Sequence, residues 1–132
     1  MGPDLTVHTA RCRCGGVTAT ARGTPTRISI CHCLDCQKRA GSAFSAQVRF
    51  ADVTVTGRTQ RWRTVGDSGR WAEFERCATC GDQIAYRIEY FPDMTAIPLG
   101  AFDDPFAFAP EHSVWESRQH PWLDVSAIRD HD

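Results

Sequence analysis

The chain has 132 residues, of which 42% are hydrophobic and 23% charged, with 15 Lys and Arg against 16 Asp and Glu. That length and balance fit one domain, residues 1–132, with a modest buried core. A net charge of -1 lacks the basic excess of a nucleic-acid binder, and no apolar run reaches the length of a membrane span.

Residues 1–10 are polar and show no helical period. They lead into Arg11-Cys12-Arg13-Cys14-Gly15-Gly16, a pair of thiols closed by glycine. Residues 17–21 alternate apolar side chains with threonine, which predicts a strand that Thr24-Pro25 ends. Residues 27–30 form a short β-like run into Cys31-His32-Cys33-Leu34-Asp35-Cys36, with three thiols in six residues. In extended backbone, residues i and i+2 project to one side, so Cys31 and Cys33 face a common point. The C-x-x-C step then turns the chain and returns Cys36 toward it.

Residues 34–39 are helix formers up to Gly41-Ser42, which predicts a helix of one to two turns. Its N-terminus lies at the three thiols, where free N–H groups and the helix dipole favour thiolates. Residues 44–50 alternate Phe, Ala, Val and Phe with polar residues, the pattern of a half-buried strand. Residues 53–56 and 59–65 continue the β pattern. Gly66-Asp67-Ser68-Gly69 is a turn, and residues 71–76 alternate into Cys77-Ala78-Thr79-Cys80-Gly81, a second thiol pair closed by glycine. Residues 84–90 read as a strand, Phe91-Pro92-Asp93 as a turn, and residues 95–99 as a short strand whose Pro98 marks an edge. From Asp103 the chain reads as irregular. The fold class is therefore mainly β and antiparallel, with one short helix and cysteine knuckles at one end.

Seven cysteines in groups of two, three and two are spaced as metal ligands. An odd count without a leader-like segment argues against disulfides and points to a reducing cytoplasm. The favoured division makes Cys12, Cys14, Cys77 and Cys80 one closed structural zinc site. Cys31, Cys33 and Cys36 then form a second zinc site with an open position, the layout of a catalytic centre. A rival division joins Cys12 and Cys14 to Cys31 and Cys33 and splits the triplet.

The motif Cys12-x-Cys14-Gly15-Gly16 is followed by Cys31-His32-Cys33-x-x-Cys36 with Gly41-Ser42-Ala43-Phe44. Phe74-x-x-Cys77-x-x-Cys80-Gly81 comes next, and together they resemble the glutathione-dependent formaldehyde-activating enzyme (GFA) family. Leu99-Gly100-Ala101-Phe102-Asp103-Asp104-Pro105, His112 and Pro121-Trp122 are similar to that family's C-terminal half. The resemblance implies a β-tent fold, a structural zinc on four cysteines, a second zinc on the triplet, and S-(hydroxymethyl)glutathione synthase activity. It also extends to centromere protein V-like members, so a zinc-bearing scaffold for protein interaction is the alternative to an enzyme.

The expected reaction adds a glutathione-like thiol to formaldehyde or a similar small aldehyde, a carbon–sulfur lyase chemistry, with a homo-oligomer left open. Cys31, Cys33 and Cys36 would carry the catalysis. Lys38 and Arg39 are the basic residues nearest the triplet for the thiol's carboxylates, with Arg49 a weaker candidate. His32, between two ligands, is expected to point away from the metal as a loop or surface residue. His112 and His120 are expected to serve core or surface packing. Trp62, Trp71, Trp115 and Trp122 are expected to serve core and lid packing. Asp35 fits either a group supporting the metal or the first turn of the helix, and Asp103-Asp104-Pro105 is a turn.

Overall fold

The computed structural model describes residues 4, 6–66 and 68–132. Among these, the chain runs through β1 (Val7–Arg11), β2 (Thr18–Arg22), β3 (Arg27–Cys31), the helix α1 (Leu34–Ala40), β4 (Ser45–Phe50) and β5 (Asp52–Thr56). It continues through β6 (Thr59–Val65), β7 (Trp71–Cys77), β8 (Gln83–Ile88), β9 (Phe91–Pro98), β10 (His112–Val114) and β11 (Asp130–His131). One sheet has the order β1-β2-β5; the other, of eight strands, runs β11-β10-β3-β4-β9-β8-β7-β6. All pairings are antiparallel except β3–β10 and β10–β11, which are parallel.

The sheets meet through small inward residues on one side and large ones on the other. Ala10, Ala19 and Ala21 of the small sheet pack with Ile28, Val48, Phe50, Ile84 and Ile97 of the large one, together with Val17 and Phe102. Alanines let the backbones approach, and Phe50, fully buried, fills the space they leave; Phe50→Ala would cost ~3–5 kcal/mol. The large sheet buries its other face as well. In β9, Ala96 joins a second cluster with Phe74 and Tyr86 while its neighbour Ile97 stays in the first, the period-two alternation of a strand.

Gly57 ends β5 with φ 118, and a Cβ there would collide with the Gly16 carbonyl oxygen. Only glycine lets the end of β5 lie against the turn that carries the first cysteine pair.

Helix α1 is the helix of one to two turns expected over residues 34–39, one residue longer, and it carries Cys36 in its first turn. Cys33 caps its start, with its sulfur accepting the Cys36 N–H, and Gly41 in the left-handed conformation closes its end.

Three expectations are corrected. Phe91 opens β9 rather than a turn; the chain turns before it, and Ile88 pairs with Phe91. Pro98 does not mark a sheet edge, since β9 lies between β4 and β8. Proline is tolerated because it is the strand's last residue. The segment after Asp103 is not wholly irregular, because β10 adds to β3 and β11 adds to β10. Residues 7–11, polar and without period, become β1 by pairing along their whole length with β2. Of the turn at residues 66–69, Asp67 lies outside the described residues, as do residues 1–3 and 5; the Gly69 N–H donates to the Gly66 carbonyl at 2.9 Å.

Candidate metal centres

The end of β1 and the end of β7 deliver two cysteine pairs to one point. The sulfurs of Cys12, Cys14, Cys77 and Cys80 all lie within 4.8 Å of one another. Cys14 is 3.6 Å from both Cys12 and Cys77. A tetrahedral zinc with bonds of ~2.3 Å to sulfur sets its ligands ~3.8 Å apart, so the cage has the right size. Backbone N–H groups point inward: Val17 donates to Cys12 at 3.3 Å, Gly16 to Cys14 at 3.4 Å, and Thr79 and Cys80 to Cys77 at 3.4 Å. The N–H groups of Cys80 and Thr79 draw the Cys77 thiol down to about 6. Gly15 and Gly81, with φ 76 and 81, sit in these turns in the left-handed conformation, and their N–H groups donate to the Cys12 and Cys77 carbonyls at 3.0 Å. Arg13 locks the two halves together, with its N–H and its guanidinium donating to Asp82 at 2.8 and 3.0 Å. Four soft sulfurs with charge-stabilising donors are the ligand set that zinc selects.

Cys31, Cys33 and Cys36 form the second cluster, their sulfurs also within 4.8 Å of one another. The rival division of the cysteines is not the arrangement found. Cys31 ends β3 and is buried, while Cys33 and Cys36 at the start of α1 are partly exposed. The Cys31 and Cys33 thiols, then the Ser45 hydroxyl and the Arg39 charge, draw Cys36 well below the usual thiol range. Cys31 is pushed up, because it shares its proton with Cys33 and Cys36 and is buried. Arg39 Nη2 donates to the Cys36 sulfur at 3.5 Å and Nη1 to Gln83 Oε1 at 2.8 Å. The guanidinium sits over the rings of Phe74 and Tyr86, 4.8 and 4.6 Å from their centroids. Three thiols of this kind can hold a zinc ion and leave one coordination position.

The triplet opens on a cavity of ~950 Å³, whereas the four-cysteine cluster lies away from it. Lys38, Arg39 and Arg49 all line that cavity, as does Asp35. The strands add lining residues beyond Arg49 of β4 that were not expected there: Arg27 and Ser29 of β3, and Gln47 of β4. The signal was present, since both strands carry polar residues at every second position next to a strand-end cysteine.

His32 lies in the short connection between β3 and α1, as expected of a loop residue, but it is not at the surface. It is fully buried, its Nε2 paired with Ser113 Oγ at 2.9 Å and its Nδ1 without a partner among the described residues. Alternation turns it away from the sulfurs, and β10 covers the side it turns to. Its backbone N–H donates to Val114, and its carbonyl accepts Gln37 Nε2 at 2.8 Å. Gln37 Oε1 in turn pairs with His120 Nε2 at 2.7 Å. These bonds fasten the triplet to the C-terminal segment.

His112 pairs with Asp130 at 3.3 Å. Trp62 stacks on Phe74. Trp115 lines the cavity while 51% exposed, and Trp122, 70% exposed, packs into no core. Asp103 forms a two-pronged ion pair with Arg11, and Asp104 caps the short turn after it.

Comparison with known proteins agrees with this architecture. The sequence model of a family described as glutathione-dependent formaldehyde-activating enzyme matches residues 7–118. A crystal structure of a Rhodobacter sphaeroides protein superposes with a TM-score of 0.54 at 20% identity, covering 72% of this chain and 87% of that one. That likeness bears on the fold alone. No curated protein matches the sequence.

Proposed function

The chain belongs to the glutathione-dependent formaldehyde-activating enzyme family, and from that premise we propose that it is a zinc-dependent carbon–sulfur lyase adding a glutathione-like thiol to formaldehyde or a similar small aldehyde. Cys12, Cys14, Cys77 and Cys80 would hold a structural zinc, and Cys31, Cys33 and Cys36 a catalytic one. The observation that carries this reading is the contrast between the clusters: four sulfurs close on one another, while three open on a large cavity beside basic side chains.

Zinc bound by the triplet would supply Lewis acidity and lower the pKa of a thiol sulfur at its fourth position. The chain's own residues do the rest. Arg39, donating to the Cys36 sulfur, favours the thiolate form that binds a cation. Lys38 and Arg39, on the last turn of α1, are placed to draw a substrate carboxylate toward the cavity. His32, anchored on Ser113, and Gln37, anchored on His120, hold the backbone between the ligands in one shape. In the reaction the sulfur–carbon bond forms as the carbonyl π bond breaks. The thiol proton ends on the new hydroxyl, and no electrons are gained or lost. Positioning two small reactants is most of what such a step needs.

The partners are then a small acidic thiol and a small aldehyde in a reducing cytoplasm. No helix among the described residues is long and apolar enough to cross a membrane. Exchange NMR of glutathione and formaldehyde tests the proposal. Zinc-loaded protein should speed formation of S-(hydroxymethyl)glutathione above the spontaneous rate, and Cys36→Ser should abolish the gain. Equal rates with and without the wild-type protein would leave the scaffold reading in its place.

A further inference from the structure

We propose that Arg27 and Arg49, opposite each other on β3 and β4 at the end of the cavity remote from the cysteine triplet, form an oxyanion site. It would receive the far acidic group of a small thiol whose sulfur lies at the triplet. The identity of this occupant rests on the thiol chemistry proposed above; the site itself rests on the geometry that follows.

Strands β3 and β4 pair in register as Cys31 with Ser45, Ser29 with Gln47, and Arg27 with Arg49. Alternate residues share a face, so these three rungs form one polar ladder. Cys31, Ser29, Gln47, Arg27 and Arg49 all line the same cavity. Cys31 and Arg27 are four residue steps apart on the strand, ~13 Å along the backbone. A thiolate-binding centre thus stands at one end of the ladder and two guanidinium groups at the other.

The two arginines are placed against their own electrostatics. Like charges directly opposite on neighbouring strands repel, and Arg49 is only 5% exposed. A buried cation is expected to have an acidic partner. Among the described residues, ion pairs are made by Arg11, Arg13, Arg61, Arg63 and Arg129, and by neither Arg27 nor Arg49. Asp130 and Asp132 are the acidic groups that act on Arg27. Their pull is outweighed by burial and by the charge of Arg49, which together push Arg27 below its ordinary value.

What holds the pair is aromatic. Arg27 lies 5.4 Å and Arg49 5.2 Å from the centroid of the same Phe91 ring, and Tyr86 carries Arg49 at 5.7 Å. Arg49 Nη1 donates to Ser29 Oγ at 3.2 Å, and Ser29 also accepts Gln47 Nε2 at 2.9 Å. Stacking fixes the guanidinium planes and leaves donor edges for a ligand. Two forks paired across neighbouring strands and lining one cavity suit a carboxylate or another oxyanion.

The test uses the zinc-loaded full chain and two probes. Sulfate, compared with chloride at equal ionic strength, should raise the melting temperature of the wild-type protein saturably. Arg27→Gln, at the partly exposed member of the pair, should abolish that response, while Arg49→Lys, which keeps the buried charge, should retain part of it. Glutathione should bind Arg27→Gln at least about tenfold more weakly than wild type, the scale of a charged hydrogen bond. Binding of 2-mercaptoethanol, which has no acidic group, should be unchanged, as should zinc content. The proposal is overturned if sulfate does not stabilise the wild type, if Arg27→Gln responds as the wild type does, or if both thiols weaken equally. If sulfate binds in an Arg27-dependent way but neither thiol binds the wild type, the oxyanion site stands and the thiol reading fails.

Discussion

Arg39, one turn beyond Cys36 on α1, donates to its sulfur at 3.5 Å and is braced from the other side by Gln83 at 2.8 Å. The residue proposed to attract substrate is therefore also fastened to the metal triplet. Lys38, its neighbour, lines the cavity. The two should separate on mutation. Lys38→Ala should weaken glutathione binding several-fold and leave the second metal in place. Arg39→Ala should in addition raise the pH at which the triplet takes up zinc, because Cys36 loses a charge that favours its thiolate. Zinc uptake followed from pH 5 to 8 checks this, and coincident curves for Arg39→Ala and the wild type would contradict it.

The two clusters should differ in what their loss does to the fold. Cys12 and Cys14 lie more than sixty residues before Cys77 and Cys80 in the chain, and the core includes Cys12 and Cys77. A structural zinc there would be worth roughly 10–16 kcal/mol, comparable to the whole stability of such a domain. Cys80→Ser should yield little soluble protein. Cys36→Ser should fold, melt close to wild type, and lose one metal equivalent. Normal yield and melting of Cys80→Ser would refute the division of roles.

Much of this was legible because the signals are local. Cysteine spacing marks each cluster, terminal glycines mark the two pairs, and strict alternation marks β2 and β4. The missed features are those that only a neighbour creates. β10 and β11 have three and two residues, too few for a period; β10 exists because β3 offers it an open edge, and β11 because β10 then does. His32 was correctly turned away from the sulfurs, yet nothing near it in sequence announces that Ser113, 81 residues on, waits on the other side. Phe91-Pro92-Asp93 has turn composition, but Phe91 is the ring on which two arginines rest. The cavity arginines come from separate strands, and alternation alone cannot say whether a polar face meets water or lines a pocket.

The C-terminal segment should carry a pH signature. His131 Nδ1 meets Glu116 Oε2 at 2.6 Å, and the Asp132 N–H donates to Ser113. The Glu116 contact raises His131 above its ordinary value of 6.5, so its contribution is full below 6.5 and fades as pH climbs through the raised value. Glu116 is held below its ordinary value of 4.5, first by the Ser113 hydroxyl and then by His131, so its contribution is full above 4.5 and fades as pH falls through the lowered value. Between those limits both are present. Hydrogen exchange at the Asp132 amide, corrected for intrinsic rate, should show most protection between about pH 4.5 and 6.5 and less on either side. His131→Asn should flatten the alkaline side of that profile.

The central claim, that the triplet is an open centre for a thiol, is tested most directly by cobalt. Cobalt keeps tetrahedral coordination and makes the ligand set visible by its absorption. Protein with cobalt in both clusters should change its spectrum on adding glutathione as a fourth sulfur joins Cys31, Cys33 and Cys36, and one proton should be released per thiol bound near neutral pH. Cys36→Ser protein, with cobalt in the four-cysteine cluster alone, should show no change. An unchanged spectrum and no proton release from the wild-type protein, with glutathione and smaller thiols alike, would contradict the account.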